Sequence, residues 1–561
     1  MSTLAHEFRL IRLERWAATL CLPLLGLLQA WALADGQGRA HGGVQILALA
    51  GFFLFLDGAR SLRQAAWRGW WFATWWLSGV CWWLFISMHV YGGLPAPLAV
   101  AGVVALAAAL ALYYGVAASL YWWTRGLGFM ASALLFAACW TLAELARGQW
   151  LTGFPWGAIG YAHVDSPLAW LARWAGVYGV GAIAAALAAL LALCVVAVLG
   201  YIFGRFISAA RLPVTAPRMV SAYAWLAVLL VAILAGGHWQ RAQFGEVDAQ
   251  LAARKPVTLA LLQGNIPIAE KFDPGTGVLD SLRWYGEQFT QRKEALVIAP
   301  ETAIPVLPQD LPPRYLEIVT APYRSGDQAL LTGLPLGDTE RGYTNSVLGV
   351  RPAGAGATDS SPVDYVYSKS HLVPFGEFVP PLFQWFNDMM DIPLDSFRRG
   401  AVVQPSFAWQ GERFAPNICY EDLFGEELAR RFSDPQQAPT VLVNFSNIGW
   451  FGDGAVIDQH LHISRMRTLE LERPMVRATN TGATAIIDHR GRVVAKAPRA
   501  SVAVLSGAVV GNGHDGSASS ITPYAHWASR LGLLPLWALA LLTVASCAVV
   551  GTRLPRMYHS R

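Results

Sequence analysis

The chain has 561 residues, of which 54% are hydrophobic and 14% charged, with 24 tryptophans and a formal net charge of +5. So apolar and tryptophan-rich a composition excludes an ordinary soluble protein and points to a membrane protein with aromatic interfaces. The small positive charge sits in short arginine clusters between apolar runs, which is a topology signal more than a nucleic-acid surface.

Seven apolar stretches precede residue 240, at about 16–34, 44–57, 70–90, 96–122, 128–147, 168–202 and 221–237. An eighth runs from about 531 to 551. Most approach the roughly 20 residues that carry a helix across a bilayer; the second and seventh are short. Arginines mark every second connection. Arg9, Arg12 and Arg15 precede the first stretch, and Arg60, Arg63 and Arg68 follow the second. Arg125 follows the fourth, Arg205, Arg211 and Arg218 follow the sixth, and Arg553, Arg556 and Arg561 lie in the tail. The connection "SMHVYGGLPAP" has none. The positive-inside rule then puts both termini in the cytoplasm and residues 238–530 on the far side. Arg39 and Arg147 break the pattern, and Glu144 is the clearest charge inside a span. Arg9 to Arg15, the apolar run and "ALA" before Asp35 also resemble a signal peptide with its cleavage site. Cleavage there would leave the soluble part on the same side.

Three regions are therefore expected: a membrane domain over 1–240, a soluble domain over 241–530, and a last span with a basic tail over 531–561. The soluble region reads as α/β. Strand-like apolar runs recur at "VTLALLQGNI", "EALVIAPE", "ALLTGLPL", "TNSVLGV", "FAPNICYE", "TVLVNFSN", "PMVRATN" and "TAIIDHRGRVVAK". Helical patterns lie between some of them, at 278–293 and 459–473, with another expected at 425–432. Asp488 to Gly491 reads as a hairpin turn and "GAGATDSSP" as a surface loop.

Of six cysteines, only Cys419 lies outside the apolar segments, so the soluble region holds no disulfide framework. Neither CxxC nor HExxH spacing occurs. Cys419 ends a strand-like run and precedes the expected helix, whose N-terminus would favour thiolate. A buried structural cysteine is the competing reading. A histidine partner would be required in a papain-like enzyme. None of His371, His460, His462, His489, His514 and His526 has a diagnostic setting. The base could instead be a carboxylate such as Glu301, at the end of "LVIAP", where ligand sites of open α/β sheets gather. Lys369 lies in "YSKSHLVPFGEF", eight residues before Glu377. Taken singly, any exposed glutamate could stand at Glu301, and a solvated lysine is the more ordinary reading of Lys369.

Together, "APET", "KSHLVPFGE" and "NICYED" resemble, in this order and spacing, the nitrilase or carbon–nitrogen hydrolase superfamily. The resemblance covers about 256–510 and extends through "NFSNIGWFGD" and "HISRMRTLELERPMVRATNTG". It implies an αββα sandwich whose catalytic residues are Glu301, Lys369 and Cys419. With seven spans before the domain, one after, and "ELARGQWLTGFPWGAIGY" in an outward loop, the chain looks like the bacterial apolipoprotein N-acyltransferase family. That family implies a polytopic α-helical protein of the inner membrane, carrying its nitrilase-like domain on the periplasmic side. It also implies acyl transfer from a phospholipid, phosphatidylethanolamine first, to the N-terminal amine of a diacylated apolipoprotein, with the bilayer as a further partner. A monomer without cofactor, metal or nucleic acid is expected. Glu301 would be the general base, Cys419 the nucleophile, and Lys369 with the Tyr420 N–H the oxyanion donors. Glu377, Tyr420 and Glu421 would support them. Phe272, where relatives often carry tryptophan, would meet substrate together with Asn345, Trp450 and Phe451. Two other readings are a membrane-anchored amidase, for which one span would suffice, and a transporter with a degenerate domain, which would want charged residues inside its spans.

Overall fold

The structure, a computed structural model, describes residues 2–125, 128–202, 216–338, 340, 342–352, 365–379, 397–514, 516–517 and 520–553. The expected loop "GAGATDSSP" and Arg205, Arg211, Arg556 and Arg561 lie outside these residues. The chain forms two compact units. One comprises Met1–Trp82, Pro97–Ala242 and Leu533–Arg561, the other Trp83–Ala96 and Gln243–Gly532.

The first unit is helical. Its helices include Ser2–Trp31, Gly42–Asp57, Leu62–Val80, Ala96–Thr124, Phe129–Gln149, Ala172–Ile202 and Leu534–Arg553. Among the described residues, four helices are long and apolar enough to cross a membrane: Ala96–Thr124, Phe129–Thr152, Ala169–Leu199 and Tyr223–Ala252. A fifth is added if Pro523–Leu531 and Leu534–Val550, bent by 91°, form one span. Among the described residues, length and composition thus support four or five of the eight expected spans. Gly42–Asp57, with 16 residues, reaches only about 24 Å, short of the roughly 30 Å hydrocarbon core. Ser2–Trp31 packs tightly on Leu62–Val80, because a Cβ at Gly26 would stand 2.6 Å from the Phe72 carbonyl.

Two readings of this region change. The third apolar stretch was expected to run to residue 90, but its helix ends at Val80, and Trp83–Ala96 joins the other unit. Apolarity alone cannot tell a span from an apolar segment packed on protein. Arg147, an exception to the charge pattern, is 1% exposed and donates to Tyr114 Oη at 3.0 Å and the Trp156 carbonyl at 2.7 Å. Its charge is used inside the helical unit, together with Glu144, whose Oε1 accepts from the Ile159 N–H at 2.9 Å. Arg39 is likewise accounted for, by Asp35 at 3.0 Å.

The second unit is built on two six-stranded sheets. The first contains β1 (Val257–Gln263), β2 (Leu296–Ile298), β3 (Ala329–Asp338), β4 (Gly342–Val350) and β5 (Tyr365–Ser368), with β12 (Ala503–Val509) on the outside of β1. The second contains β6 (Phe407–Trp409), β7 (Glu412–Ile418), β8 (Val441–Ser446), β9 (Met475–Thr479), β10 (Ala485–Ile487) and β11 (Val493–Lys496) in that order. Each has a parallel centre, β1-β2-β3 or β7-β8-β9, flanked by antiparallel strands. The parallel strands are buried on both faces and so read as continuous apolar runs.

Leu259, Leu261 and Ile298 from one sheet meet Ile418, Val443 and Val476 from the other in a shared core. Helices Gly277–Gln291 and Tyr315–Ser325 cover the outer face of the first sheet through Leu282, Tyr285, Phe289, Val319 and Tyr323. Helix Ala455–Leu471 packs outside the second. This is the four-layer αββα arrangement. The expected turn at Asp488–Gly491 joins β10 to β11, and Asp488 N–H donates to the Arg492 carbonyl at 2.9 Å.

Candidate active site

Three strand ends converge. β2 is fully buried and stops at Pro300, which has no N–H to continue the ladder. The chain turns there, with Ala303 N–H on the Pro300 carbonyl, and presents Glu301. A glycine on the neighbouring strand permits this: a Cβ at Gly333 would lie 2.4 Å from the Pro300 carbonyl and 2.8 Å from Glu301 Cα. Lys369 follows β5 directly, and its N–H donates to the Asn345 carbonyl at 2.8 Å. Cys419 leaves β7 with φ +52, a left-handed conformation uncommon outside glycine. It opens a tight turn, Cys419–Leu423; the helix expected at 425–432 is regular only over Gly425–Ala429.

The Lys369 ammonium, 1% exposed, lies 2.9 Å from Glu377 Oε1 and 3.4 Å from Glu301 Oε1. Burial works against its charge, but Glu377, Glu301 and Cys419 outweigh that and hold its pKa above the ordinary lysine range. Asn345 was expected to meet substrate. Its amide bridges the two carboxylates, donating to Glu301 Oε1 at 2.7 Å and to Glu377 Oε1 at 2.9 Å. The other Glu377 oxygen accepts from the Val373 N–H at 2.8 Å. Glu301 Oε2 accepts from the Asn447 N–H at 3.0 Å, and the Asn447 backbone also works to lower the Cys419 pKa.

The thiol is not activated at rest. Burial first, then Glu301 and Glu377, raise Cys419 to about 12 against the pull of Lys369. This departs from the thiolate expected of a nearby helix end, because desolvation and two carboxylates outweigh the single cation. Such a thiol needs a base at the moment of reaction, and Glu301 is the largest charge acting on it.

Glu421, expected to shape the pocket, acts as a clamp. Its Oε1 accepts from Ser370 N–H and Oγ, both at 2.6 Å, and from His371 N–H at 3.2 Å. Its Oε2 accepts from Ile418 N–H at 2.6 Å and Tyr367 Oη at 2.8 Å. The turn bearing Cys419 is thereby tied to the segment bearing Lys369. Tyr420 is buried, with its ring 5.3 Å from that of Phe424.

Phe272 is 42% exposed on the loop after β1. Trp450 and Phe451 meet the segment Trp83–Ala96. Phe451 packs edge-on to Trp83 at 4.5 Å, and Trp450 to Tyr91 at 5.6 Å. Sequence reasoning missed that partnership, and it missed Lys271. Lys271 is 1% exposed and donates to the Glu301 carbonyl at 3.2 Å. Burial lowers its pKa to about 7, with Glu301 opposing. Its only signal was position, one residue before Phe272.

Residues 25–190 match the apolipoprotein N-acyltransferase N-terminal domain and residues 258–511 the carbon-nitrogen hydrolase family. The apolipoprotein N-acyltransferase of Verminephrobacter eiseniae is 52% identical over 533 residues, covering 91% of this chain and 94% of its own. The chain belongs to the apolipoprotein N-acyltransferase family. Further members similar to it are those of Ralstonia nicotianae, 43% identical over 89% of this chain and 88% of its own, and Pseudomonas aeruginosa, 33% identical over 93% and 96%. Within this family the two matched domains fall on the helical unit and on the two-sheet unit, and the latter holds Glu301, Lys369 and Cys419.

Proposed function

We propose that the protein transfers a fatty acyl chain from a membrane phospholipid, phosphatidylethanolamine first, to the N-terminal α-amine of an S-diacylglyceryl-cysteine apolipoprotein. This step completes lipoprotein maturation. The observation that carries the mechanism is a buried ammonium, Lys369, held between two carboxylates, Glu301 and Glu377, on whose charge Cys419 also acts. Glu301 takes the proton from Cys419 Sγ, and the sulfur attacks the ester carbonyl carbon. Protonation neutralises Glu301, so the Lys369 charge turns to the developing oxyanion while Glu377 keeps the ammonium in place. The Tyr420 N–H is the second donor. On collapse the C–O bond breaks, Glu301 returns its proton to the leaving oxygen, and lysophospholipid departs. The acyl group remains on Cys419 as a thioester. The lipoprotein amine then attacks, loses its proton to Glu301, and expels the thiolate, which is reprotonated. Phe272, Trp450 and Phe451 serve as apolar contacts for the lipid chains.

The helices anchor this unit in the inner membrane, where both lipid substrates reside. Eight crossings, cytoplasmic termini, a periplasmic catalytic domain and a monomeric state belong to the same proposal. Intact mass after incubation with phospholipid alone tests it. A fatty-acyl adduct is expected on the wild type, discharged by a diacylated lipopeptide, and absent from Cys419→Ala. An adduct that persists in Cys419→Ala would overturn the reading.

A further inference from the structure

The peptide after the nucleophile is fastened from behind. Cys419 has φ +52, and its carbonyl accepts from His460 Nε2 at 3.2 Å. The other ring nitrogen, Nδ1, lies 3.1 Å from Arg477 Nη2. A guanidinium has only donors, so Nδ1 must accept and the proton must sit on Nε2, aimed at the Cys419 carbonyl. Arg477 is anchored in turn. Its Nη1 meets Asp422 Oδ2 at 3.2 Å and also contacts Ser464 Oγ, which donates to the same carboxylate oxygen. His460 and Ser464 stand four residues apart on helix Ala455–Leu471, hence on one face, and Arg477 comes from β9. All four side chains are fully buried. Burial, with Arg477 beside it, holds the His460 pKa well below its ordinary range, and both ring nitrogens are already engaged, by the Cys419 carbonyl and Arg477.

A trans peptide is planar, so its C=O and the following N–H point in opposite directions. Pulling the Cys419 carbonyl toward His460 therefore turns the Tyr420 N–H to the opposite side of the same peptide plane. We propose that His460, with its tautomer set by Arg477, is a positioning residue that aims the Tyr420 N–H at the oxyanion formed on Cys419. The proposal rests on Cys419 being the nucleophile. It adds that the aim of one backbone donor is decided by a buried histidine.

The test compares His460→Met, which keeps bulk but loses the donor, with His460→Gln, which keeps a donor. Three quantities are read in the full-length protein: single-turnover acylation of Cys419 by phospholipid, phospholipid binding, and alkylation of Cys419 by iodoacetamide. Alkylation passes through no oxyanion, so it reports that the thiol is in place. His460→Met should acylate about 10²-fold more slowly, the scale of losing one oxyanion donor, with binding and alkylation near wild type. His460→Gln should recover most of that loss. Wild-type acylation in His460→Met, equal slowing in both variants, or a parallel fall in alkylation would each overturn the proposal. Should His460→Met not fold, Arg477→Lys, which keeps a charge facing Asp422, should slow acylation while sparing alkylation; wild-type acylation there would overturn it equally. The underlying reading fails separately, through an acyl adduct on Cys419→Ala whatever His460 does.

Discussion

At the scale of single residues, the site concentrates costs that the rest of the fold must carry. Cys419 holds a left-handed conformation, a strain of about 1–3 kcal/mol for a non-glycine residue. Lys271 is buried beside Glu301 with a pKa lowered to about 7. Between that value and the ordinary lysine range near 10.5, the unfolded chain binds a proton that the folded chain has released. Stability therefore rises with pH across this window, and below about 7 the buried charge is a penalty of a few kcal/mol. Lys271→Met should remove this component. The difference in thermal midpoint between variant and wild type in detergent should be largest near pH 6 and shrink toward pH 10, on the order of the lysine range. A difference independent of pH would show that Lys271 does not titrate there. Nothing local in "AEKFD" announces such a lysine, because its burial is created by the Glu301 turn lying over it.

Elements explain what was legible along the chain and what was not. The central strands β1, β2, β3, β7, β8 and β9, buried over most or all of their length, announce themselves as apolar runs. The strands without such a run, β5, β6 and β12, are sheet edges with partly exposed positions. An edge strand needs fewer apolar residues, and its existence depends on a neighbour distant in sequence. Glu421 joins two of these elements, β5 and β7, by accepting five hydrogen bonds. Glu421→Ala would strand those donors in a buried site, at about 1–3 kcal/mol for each one left unsatisfied. The variant should lose more than ~3 kcal/mol of stability on that scale, with acylation of Cys419 lost as well. An unchanged thermal midpoint would mean that water replaces the clamp without cost. The segment Trp83–Ala96 is the other lesson at this scale: its tryptophan and tyrosine resemble a membrane interface, yet they pack on Phe451 and Trp450.

For the whole molecule, the arginine pattern makes a prediction that the fold does not. Asp280 and Arg63 are both exposed, the first in the two-sheet unit and the second in the first turn of helix Leu62–Val80 of the other. In intact cells with a permeable outer membrane, an impermeant maleimide should label Asp280→Cys from outside. Arg63→Cys should react only after the inner membrane is opened. The reverse pattern would overturn the proposed topology.

The sequence by itself determined the division into an apolar helical part and an α/β part, because burial on both faces of a strand or along a whole helix demands apolar residues in place. It also marked Glu301, Lys369 and Cys419, since three separated motifs each carry their own strand end. Only the tertiary structure decided what those residues meet. Asn345 between two carboxylates, Lys271 under Glu301, Glu421 tied to the Lys369 segment and His460 behind Cys419 are pairings between residues from 30 to 54 positions apart. Hydrogen bonds of that kind depend on where backbone turns place two groups in space. A polar residue's own neighbours in the chain carry no trace of it.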